Sequence, residues 1–141
     1  MLIDPRGPRF AAALTSAVLA AVLITGSGIL LAVQAAVFAT GALAGLQRSP
    51  YGLLFRVLVR PRLAPPRELE DARPPRFAQA VGLAFALAGT LASLAGADGL
   101  FLAATGLALA AAFLNAVFGY CLGCEAYLLL RRGTDRVGVR A

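Results

Sequence analysis

The sequence predicts an all-α membrane protein in which four transmembrane helices form one bundle. Its 141 residues are 60% hydrophobic and only 14% charged, so the chain is far more apolar than a soluble domain of this size. All thirteen basic residues are arginines; they lie before the first apolar stretch, between the second and third, or after the fourth. Because arginine-rich segments are retained in the cytoplasm, we expect one integral domain of the cell membrane, residues 1–141, with both termini inside.

Four uncharged stretches predict the spans. The run from residue 10 to residue 47 carries no charge and is too long for one span, so a turn is expected at Gly26 and Gly28. The first stretch exceeds the apolar region of a signal peptide and another apolar segment follows at once, which favours a retained span. Asp98 marks the outer end of the third stretch. The predicted spans are residues 10–26, 29–46, 77–96 and 100–119.

Residues 47–76 are predicted to form a cytoplasmic loop rich in proline and arginine. Within it, Pro50 suits the first turn of a short amphipathic helix over residues 51–60 that lies in the membrane interface. The five prolines of residues 61–76 predict an extended connection. A second short interfacial helix is expected after the fourth span, over residues 126–130.

A short motif recurs at the start of both helical pairs. Pro8-Arg9-Phe10-Ala11 matches Pro75-Arg76-Phe77-Ala78. Each unit holds two spans and starts on the cytoplasmic side, so the pattern predicts two parallel repeats related by an axis along the membrane normal. Convergence of two Ala- and Leu-rich hairpins is the alternative.

Small and uncharged polar residues dominate the predicted membrane interior. Gly82, Gly89 and Gly96 recur every seven residues and predict a smooth seam for close helix packing. The absence of charged residues at mid-bilayer argues against a proton-coupled pump or a channel with a charged filter. Gln34 and Asn115 are expected to form hydrogen bonds between helices.

The only two cysteines, Cys121 and Cys124, lie at the cytoplasmic end of the fourth predicted span. This spacing allows an intramolecular disulfide at a helix end, and Gly119 and Gly123 supply the backbone freedom. Because a structural disulfide would not persist in the cytoplasm, the motif predicts a reversible redox pair or a sulfur-carrying thiol. Open alternatives are packing as small hydrophobic side chains, palmitoylation, and half of a zinc site shared across a dimer.

Charges near the pair act in opposite directions. Arg131 and Arg132 would favour a thiolate if the chain folds back, whereas Glu125 would oppose it. The net charge of +6 is explained by topology and anionic lipid headgroups, so we expect no nucleic-acid partner. The chain has no histidine, which removes the usual haem and copper ligands. We therefore predict no cofactor and no metal site.

Three segments resemble a bacterial membrane family catalogued as domain of unknown function 4395, best known in actinobacteria. They are residues 65–70, residues 75–79 and, most specifically, the run 114–127 around Phe-Gly-Tyr-Cys-Leu-Gly-Cys. The resemblance covers nearly the whole chain and identifies supporting residues beside the cysteine pair: Asn115, Tyr120, Gly123, Glu125 and Tyr127. Members are often encoded near thioredoxin-like proteins and thiosulfate sulfurtransferases, which implies work on thiols or sulfur.

The leading hypothesis is therefore a membrane protein whose catalytic Cys121/Cys124 pair exchanges electrons or sulfane sulfur with a soluble thioredoxin-like protein or thiosulfate sulfurtransferase. A first rival is a subunit that transports a small sulfur-containing solute, which would require a polar path and a homo-oligomer if four helices cannot enclose one. A second rival is a structural or assembly subunit.

Overall fold

Apolar runs broken at glycines and prolines produce a helical fold, and the all-α prediction is confirmed. A computed structural model describes the backbone of residues 2–140 and the side chains of residues 2–136. Within that part of the chain six α-helices follow one another: α1 (Arg6–Thr25), α2 (Gly28–Leu43), α3 (Pro50–Leu54), α4 (Arg73–Ala95), α5 (Asp98–Phe118) and α6 (Leu122–Arg140).

Short helical turns and one small sheet complete the chain. A 3₁₀ turn spans Leu46–Arg48, and α3 continues as a π-helical turn over Phe55–Val59 and a 3₁₀ turn over Arg60–Arg62. Strand β1 (Leu2–Ile3) pairs antiparallel with β2 (Glu70–Asp71), with Leu2 opposite Asp71. The sheet ties the N-terminus to the long connection and was not predicted from the sequence.

Two helices begin earlier than predicted because proline is tolerated in a first helical turn. Helix α1 begins at Arg6 instead of residue 10, and α4 begins at Arg73 instead of residue 77. The first amide groups of a helix have no intrahelical partner, so Pro8 in α1 and Pro74 in α4 cost no hydrogen bond. The prediction of an extended chain through residue 76 is wrong for its last four residues.

Helices α1, α2, α4 and α5 pack around a common interior. Helix α1 packs on α5 and α2, while α4 packs on α2 and α5, so the first helix of each hairpin lies against the second helix of the other. Gly28 at the start of α2 lies against Ser93 near the end of α4. Both hairpin turns therefore share one end of the bundle, the turn end, and Arg9 and Arg76 lie at the other, the arginine end.

The turn-end half of the bundle is filled by apolar side chains. Leu19, Val22 and Leu31 are fully buried there, and Phe101 packs with them. Two of the three seam glycines permit close packing of α4: a Cβ at Gly82 would lie 2.7 Å from the Phe38 ring, and one at Gly89 would lie 2.6 Å from Leu31. The third is different, because Gly96 ends α4 and faces open space.

Large apolar side chains also cover the outside of the bundle. Exposed examples occur on all four helices: Ile24, Val33, Leu91, Leu94, Leu107 and Phe113. Helices α1, α4 and α5 are long and apolar enough to cross a membrane, whereas α2 is a shorter apolar helix of 16 residues. At 1.5 Å per residue α2 extends about 24 Å, which is less than the roughly 30 Å of a bilayer core.

Helix α6 is much longer than the predicted segment of residues 126–130. It begins at Leu122 and runs for 19 residues because no proline interrupts it and a glycine such as Gly133 costs a helix only about 1 kcal/mol. The helix packs mainly on α4. The C-terminal segment is predicted to be cytoplasmic, but the Arg140 side chain and residue 141 are not among the parts of the chain that the structure describes.

Candidate dithiol site

The connection between α5 and α6 positions the two cysteines. Gly119 adopts a left-handed conformation (φ 69°) that ends α5, and its N–H donates to the carbonyl of Asn115 at 3.0 Å. The Gly119 bond is the one that defines an αL cap, and the N–H of Tyr120 reaches back to the carbonyl of Leu114 at 3.3 Å. The chain then enters α6 directly after Cys121. The predicted location of the pair, at the junction of two helices, is confirmed.

Cys121 occupies the N-cap position of α6. Its carbonyl accepts the N–H of Glu125 at 3.0 Å, and its Sγ accepts the N–H of Cys124 at 3.2 Å. The two side chains are joined as a disulfide across a Cα–Cα distance of 5.2 Å, inside the usual range for such bonds. Cys121 thus holds the place that Ser, Thr, Asp or Asn usually takes, where a side-chain acceptor meets free amide groups.

A cleft of about 730 Å³ opens beside the disulfide. It lies between α1, α4 and α5, and α6 crosses its arginine end; we call it the cysteine cleft. Small residues on the three helices leave the space: Ala12, Ala78, Gly82, Ala108, Ala111 and Ala112. The part of α5 that lines the cleft, from Ala108 to Gly119, is about 16 Å long. Phe38 and the packed turn-end residues close the far end.

The cysteine cleft has few polar groups. Thr15, Gln79 and Asn115 contribute a hydroxyl and two amides, and the charged residues Arg9, Glu70, Asp71 and Glu125 line the arginine end of the cleft. Thr15 is almost fully buried, whereas Gln79 and Asn115 are partly exposed. An apolar wall with a small number of polar groups is typical of a small-molecule site, and such sites measure about 300–1,000 Å³.

Arg9 lies beside the turn that leads to Cys121, a position that was not predicted from the sequence. Its Nη2 donates to the last carbonyls of α5, those of Ala116 at 3.2 Å and Val117 at 3.3 Å. The guanidinium carbon lies 3.7 Å from a Cβ built on Gly119, two residues before Cys121. The recurring Pro-Arg-Phe-Ala motif was the signal that could have identified it.

Arg131 and Arg132 do not fold back toward the cysteines. Helix α6 runs without interruption from Leu122, so Arg131 lies about 15 Å further along it. The condition under which these arginines would favour the thiolate is not met, since a continuous helix carries them away from its own N-terminus.

The five supporting residues divide into two groups. Asn115, Tyr120 and Glu125 line the cysteine cleft, with Tyr120 and Glu125 also exposed to solvent. Gly123 also borders it, but Gly123 and Tyr127 fix α6 to α4: a Cβ at Gly123 would lie 2.6 Å from Ala78, and the Tyr127 ring packs on the Phe77 ring with centroids 5.6 Å apart. Tyr127 is therefore a packing residue in this fold.

Two acidic residues at the arginine end of the bundle form ion pairs with arginines. Asp4, which is buried, accepts from Arg6 at 2.7 Å and lies 3.7 Å from Arg60. The hydrogen bond from Arg6 holds the pKa of Asp4 below its ordinary value, although burial opposes the effect. The exposed Asp71 is paired with Arg73, whose hydrogen bonds lower the pKa of Asp71 to about 2. These pairs hold β1 and β2 beside the cleft.

Comparisons with known proteins place the chain in one family. In the described residues, no group of three or more His, Cys, Asp or Glu side chains is arranged to hold a metal ion. Neither curated proteins nor solved structures gave a match. The family described as Domain of unknown function (DUF4395) matches residues 3–132, which include both cysteines and all five helices before α6. The chain therefore belongs to the DUF4395 family.

Proposed function

We propose that this chain is an integral membrane protein that carries out thiol–disulfide exchange at the cytoplasmic face through Cys121 and Cys124. The observation that carries the proposal is the N-cap position of Cys121, with its Sγ accepting the N–H of Cys124. Free amide groups and the helix dipole favour a negative charge at that point, and the thiolate is the reactive form of cysteine. Cys121 is thus the attacking thiol and Cys124 the resolving one.

The exchange follows from this assignment. In the reduced protein the Cys121 thiolate attacks one sulfur of a disulfide substrate, so an S–S bond forms to Cys121 and one substrate thiolate leaves. Cys124 then gives up its proton and attacks the Cys121 Sγ, which forms the internal disulfide and releases the second substrate thiolate. Each departing thiolate takes up a proton. The reverse sequence oxidises a dithiol substrate.

We further propose that α1, α2, α4 and α5 span the cell membrane with the arginine end in the cytoplasm. The apolar outer surface and the span-like length of three helices support this placement. The short α2 fits a bilayer that thins locally. Around α3, Leu53 and Leu54 face outward beside Arg56, as expected of an interfacial helix.

Equivalent contacts support two parallel repeats. Arg9 donates to the last carbonyls of α5, and Arg76 donates to the last carbonyls of α2, at 2.9 Å to Ala42 and 2.7 Å to Leu43. Each repeat's second helix is therefore capped by the arginine of the other repeat. The helix that follows it is N-capped in the first unit by Ser49, whose Oγ accepts the N–H of Gly52 at 3.1 Å. In the second unit Cys121 occupies the equivalent N-cap position.

The rival functions differ in what they require of the bundle. A transport path would have to pass the turn-end half, where Leu19, Val22 and Leu31 are fully buried in a packed core, so the structure favours exchange over transport within one chain. The partner we propose is a soluble thioredoxin-like protein. If it is instead a thiosulfate sulfurtransferase, Cys121 would carry a sulfane sulfur as a persulfide.

A trapping experiment tests the exchange and identifies the partner class. The Cys124→Ser variant keeps the attacking thiol and lacks the resolving one, so a mixed disulfide with the partner should accumulate on cell membranes. The matched Cys121→Ser variant should trap nothing. Equal trapping by both variants would overturn the proposal. It would also be overturned if neither variant trapped a partner and both wild-type thiols stayed unchanged in redox buffers.

A further inference from the structure

We propose that the cysteine cleft binds a membrane quinone, which takes the two electrons of the reduced Cys121/Cys124 pair. The inference rests on the proposed thiol–disulfide function and names its second substrate. Three observations carry it: the disulfide borders the cleft, the lining includes exposed apolar side chains of the outer surface, and the wall is mainly apolar with a few amides.

The cleft is accessible from the side of the bundle. Its lining extends to Phe85 on α4 and Leu107 on α5, which are 36% and 60% exposed on the outer surface, and to Leu128 on α6, which is 39% exposed. In a bilayer such side chains face acyl chains. A molecule that enters between them arrives from the lipid phase, so this side of the cleft suits an occupant that dissolves in lipid, while Arg9, Glu70, Asp71 and Glu125 line the arginine end.

The disulfide restricts the chemistry of that occupant. Closing an S–S bond from the two cysteines releases two electrons, while the protons can pass to the acceptor or to water, so the occupant must be able to take two electrons. Quinones are lipid-soluble molecules that do so. Gln79, Asn115 and Thr15 line the cleft and carry amide and hydroxyl donors of the kind that quinone carbonyl oxygens accept, within a mainly apolar wall.

The step balances without another reagent. The S–H bond of Cys124 breaks and the Cys121 thiolate joins Cys124 in the disulfide. The quinone receives two electrons and takes up two protons at its carbonyl oxygens, one from Cys124 and one from water, to become a hydroquinone. A dithiol partner then reduces the pair again by the exchange described above. In total, the partner's dithiol becomes a disulfide and the quinone becomes a hydroquinone.

The test uses duroquinone, whose fully substituted ring cannot form a stable adduct with thiols. The purified full chain in lipid nanodiscs is reduced, freed of reductant and mixed with duroquinone without oxygen. Quinone absorbance and free thiols are then followed together. We expect one quinone reduced for each pair of thiols lost. The Cys121→Ser variant should be inactive.

Two substitutions on α5 distinguish cleft binding from reaction in solution. Ala111→Phe fills the cleft, so its rate should fall at least about tenfold, which corresponds to roughly 1.4 kcal/mol. Ala110→Phe places the same ring on the exposed face outside the cleft and should keep the wild-type rate. If Ala111→Phe alone unfolds, Gln79→Leu, which removes one amide, must raise the quinone concentration needed for half-maximal rate.

The outcomes separate the two proposals. If the wild-type pair cycles in glutathione buffers but duroquinone is not consumed, the cleft holds lipid only and the quinone inference is wrong. Equal rates for the Ala111→Phe and Ala110→Phe variants would also overturn it. If the pair does not cycle even in glutathione buffers, the failure lies with the exchange function itself.

Discussion

Gly123 of α6 lies directly against Ala78 of α4: a Cβ atom at Gly123 would come within 2.6 Å of both the Cα and the Cβ of Ala78. The contact lies two residues after Cys121, so it fixes the N-terminus of α6, and with it the disulfide, beside the cysteine cleft. Ala78 cannot move aside easily, since its Cα atom belongs to the backbone of α4.

We therefore expect Gly123→Ala to push α6 away from α4 and to destabilise the fold by about 1–3 kcal/mol, the usual cost of overpacking. Gly133→Ala is the matched control, because it makes the same change on the same helix where nothing lies within 4 Å. The control should gain up to about 1 kcal/mol from helix propensity. Thermal unfolding in detergent measures both; equal melting temperatures would show that α6 does not pack here.

The sequence could predict those features that depend on local chain properties. Uncharged runs mark the helices because a buried or lipid-facing helix excludes charge, and Gly26 and Gly96 mark the turns because they allow the chain to reverse. The position of Cys121 and Cys124 at a helix junction also followed from a local pattern, with Gly119 two residues before Cys121.

Other features depend on contacts between distant residues and could not be predicted in this way. The cysteine cleft exists because small residues of α1, α4 and α5 coincide at one level of the bundle. Arg9 reaches Ala116 across more than a hundred residues of sequence, and only the folded arrangement of α1 beside α5 brings them together. The β1–β2 pair has the same origin, as two residues per strand give no periodic signal.

Gly89→Leu tests the packing of α4 against α2. A side chain at this position meets Leu31 and Ala104, and in lipid no hydrophobic gain offsets the lost contact between backbones. We expect a loss of roughly 2 kcal/mol or more in detergent. Gly106→Leu in α5 is the control, since a Cβ at Gly106 meets nothing within 4 Å. Wild-type stability of Gly89→Leu would show that this face of α4 points to lipid.

Arg76→Leu tests the reciprocal capping of α2. The change removes two hydrogen bonds to the carbonyls of Ala42 and Leu43, and it removes a positive charge from a helix C-terminus. Each effect contributes about 0.5–1.5 kcal/mol, so we expect a loss of roughly 1–2 kcal/mol. Arg67→Leu, in the exposed connection, should change stability by less than about 0.5 kcal/mol. Equal effects would mean that the cap contributes nothing.

Asp4→Asn tests the ion pair that holds the N-terminal strand. Because the hydrogen bond from Arg6 keeps the pKa of Asp4 below 3.8, its stabilisation is fully present above that value and is lost as the pH falls through the folded pKa. We expect the variant to be less stable than the wild type by about 1–2 kcal/mol near neutral pH. The difference should shrink as the pH falls below about 3.8 and vanish below the folded pKa of Asp4. Unfolding curves at several pH values, with exposed Asp135→Asn as the control, measure this; a difference that does not depend on pH would refute the ionic contribution.

Orientation in the membrane is tested by labelling single cysteines in a chain that lacks Cys121 and Cys124. The arginine distribution predicts that Ser27 and Asp98, at the turn end, lie outside and that Glu68 lies inside. In intact cells an impermeant maleimide should therefore label Ser27→Cys and Asp98→Cys, whereas Glu68→Cys should label only after the membrane is opened. The opposite pattern would place the cysteine cleft on the outer face, where a stable disulfide persists and the proposed cytoplasmic partner could not reach it.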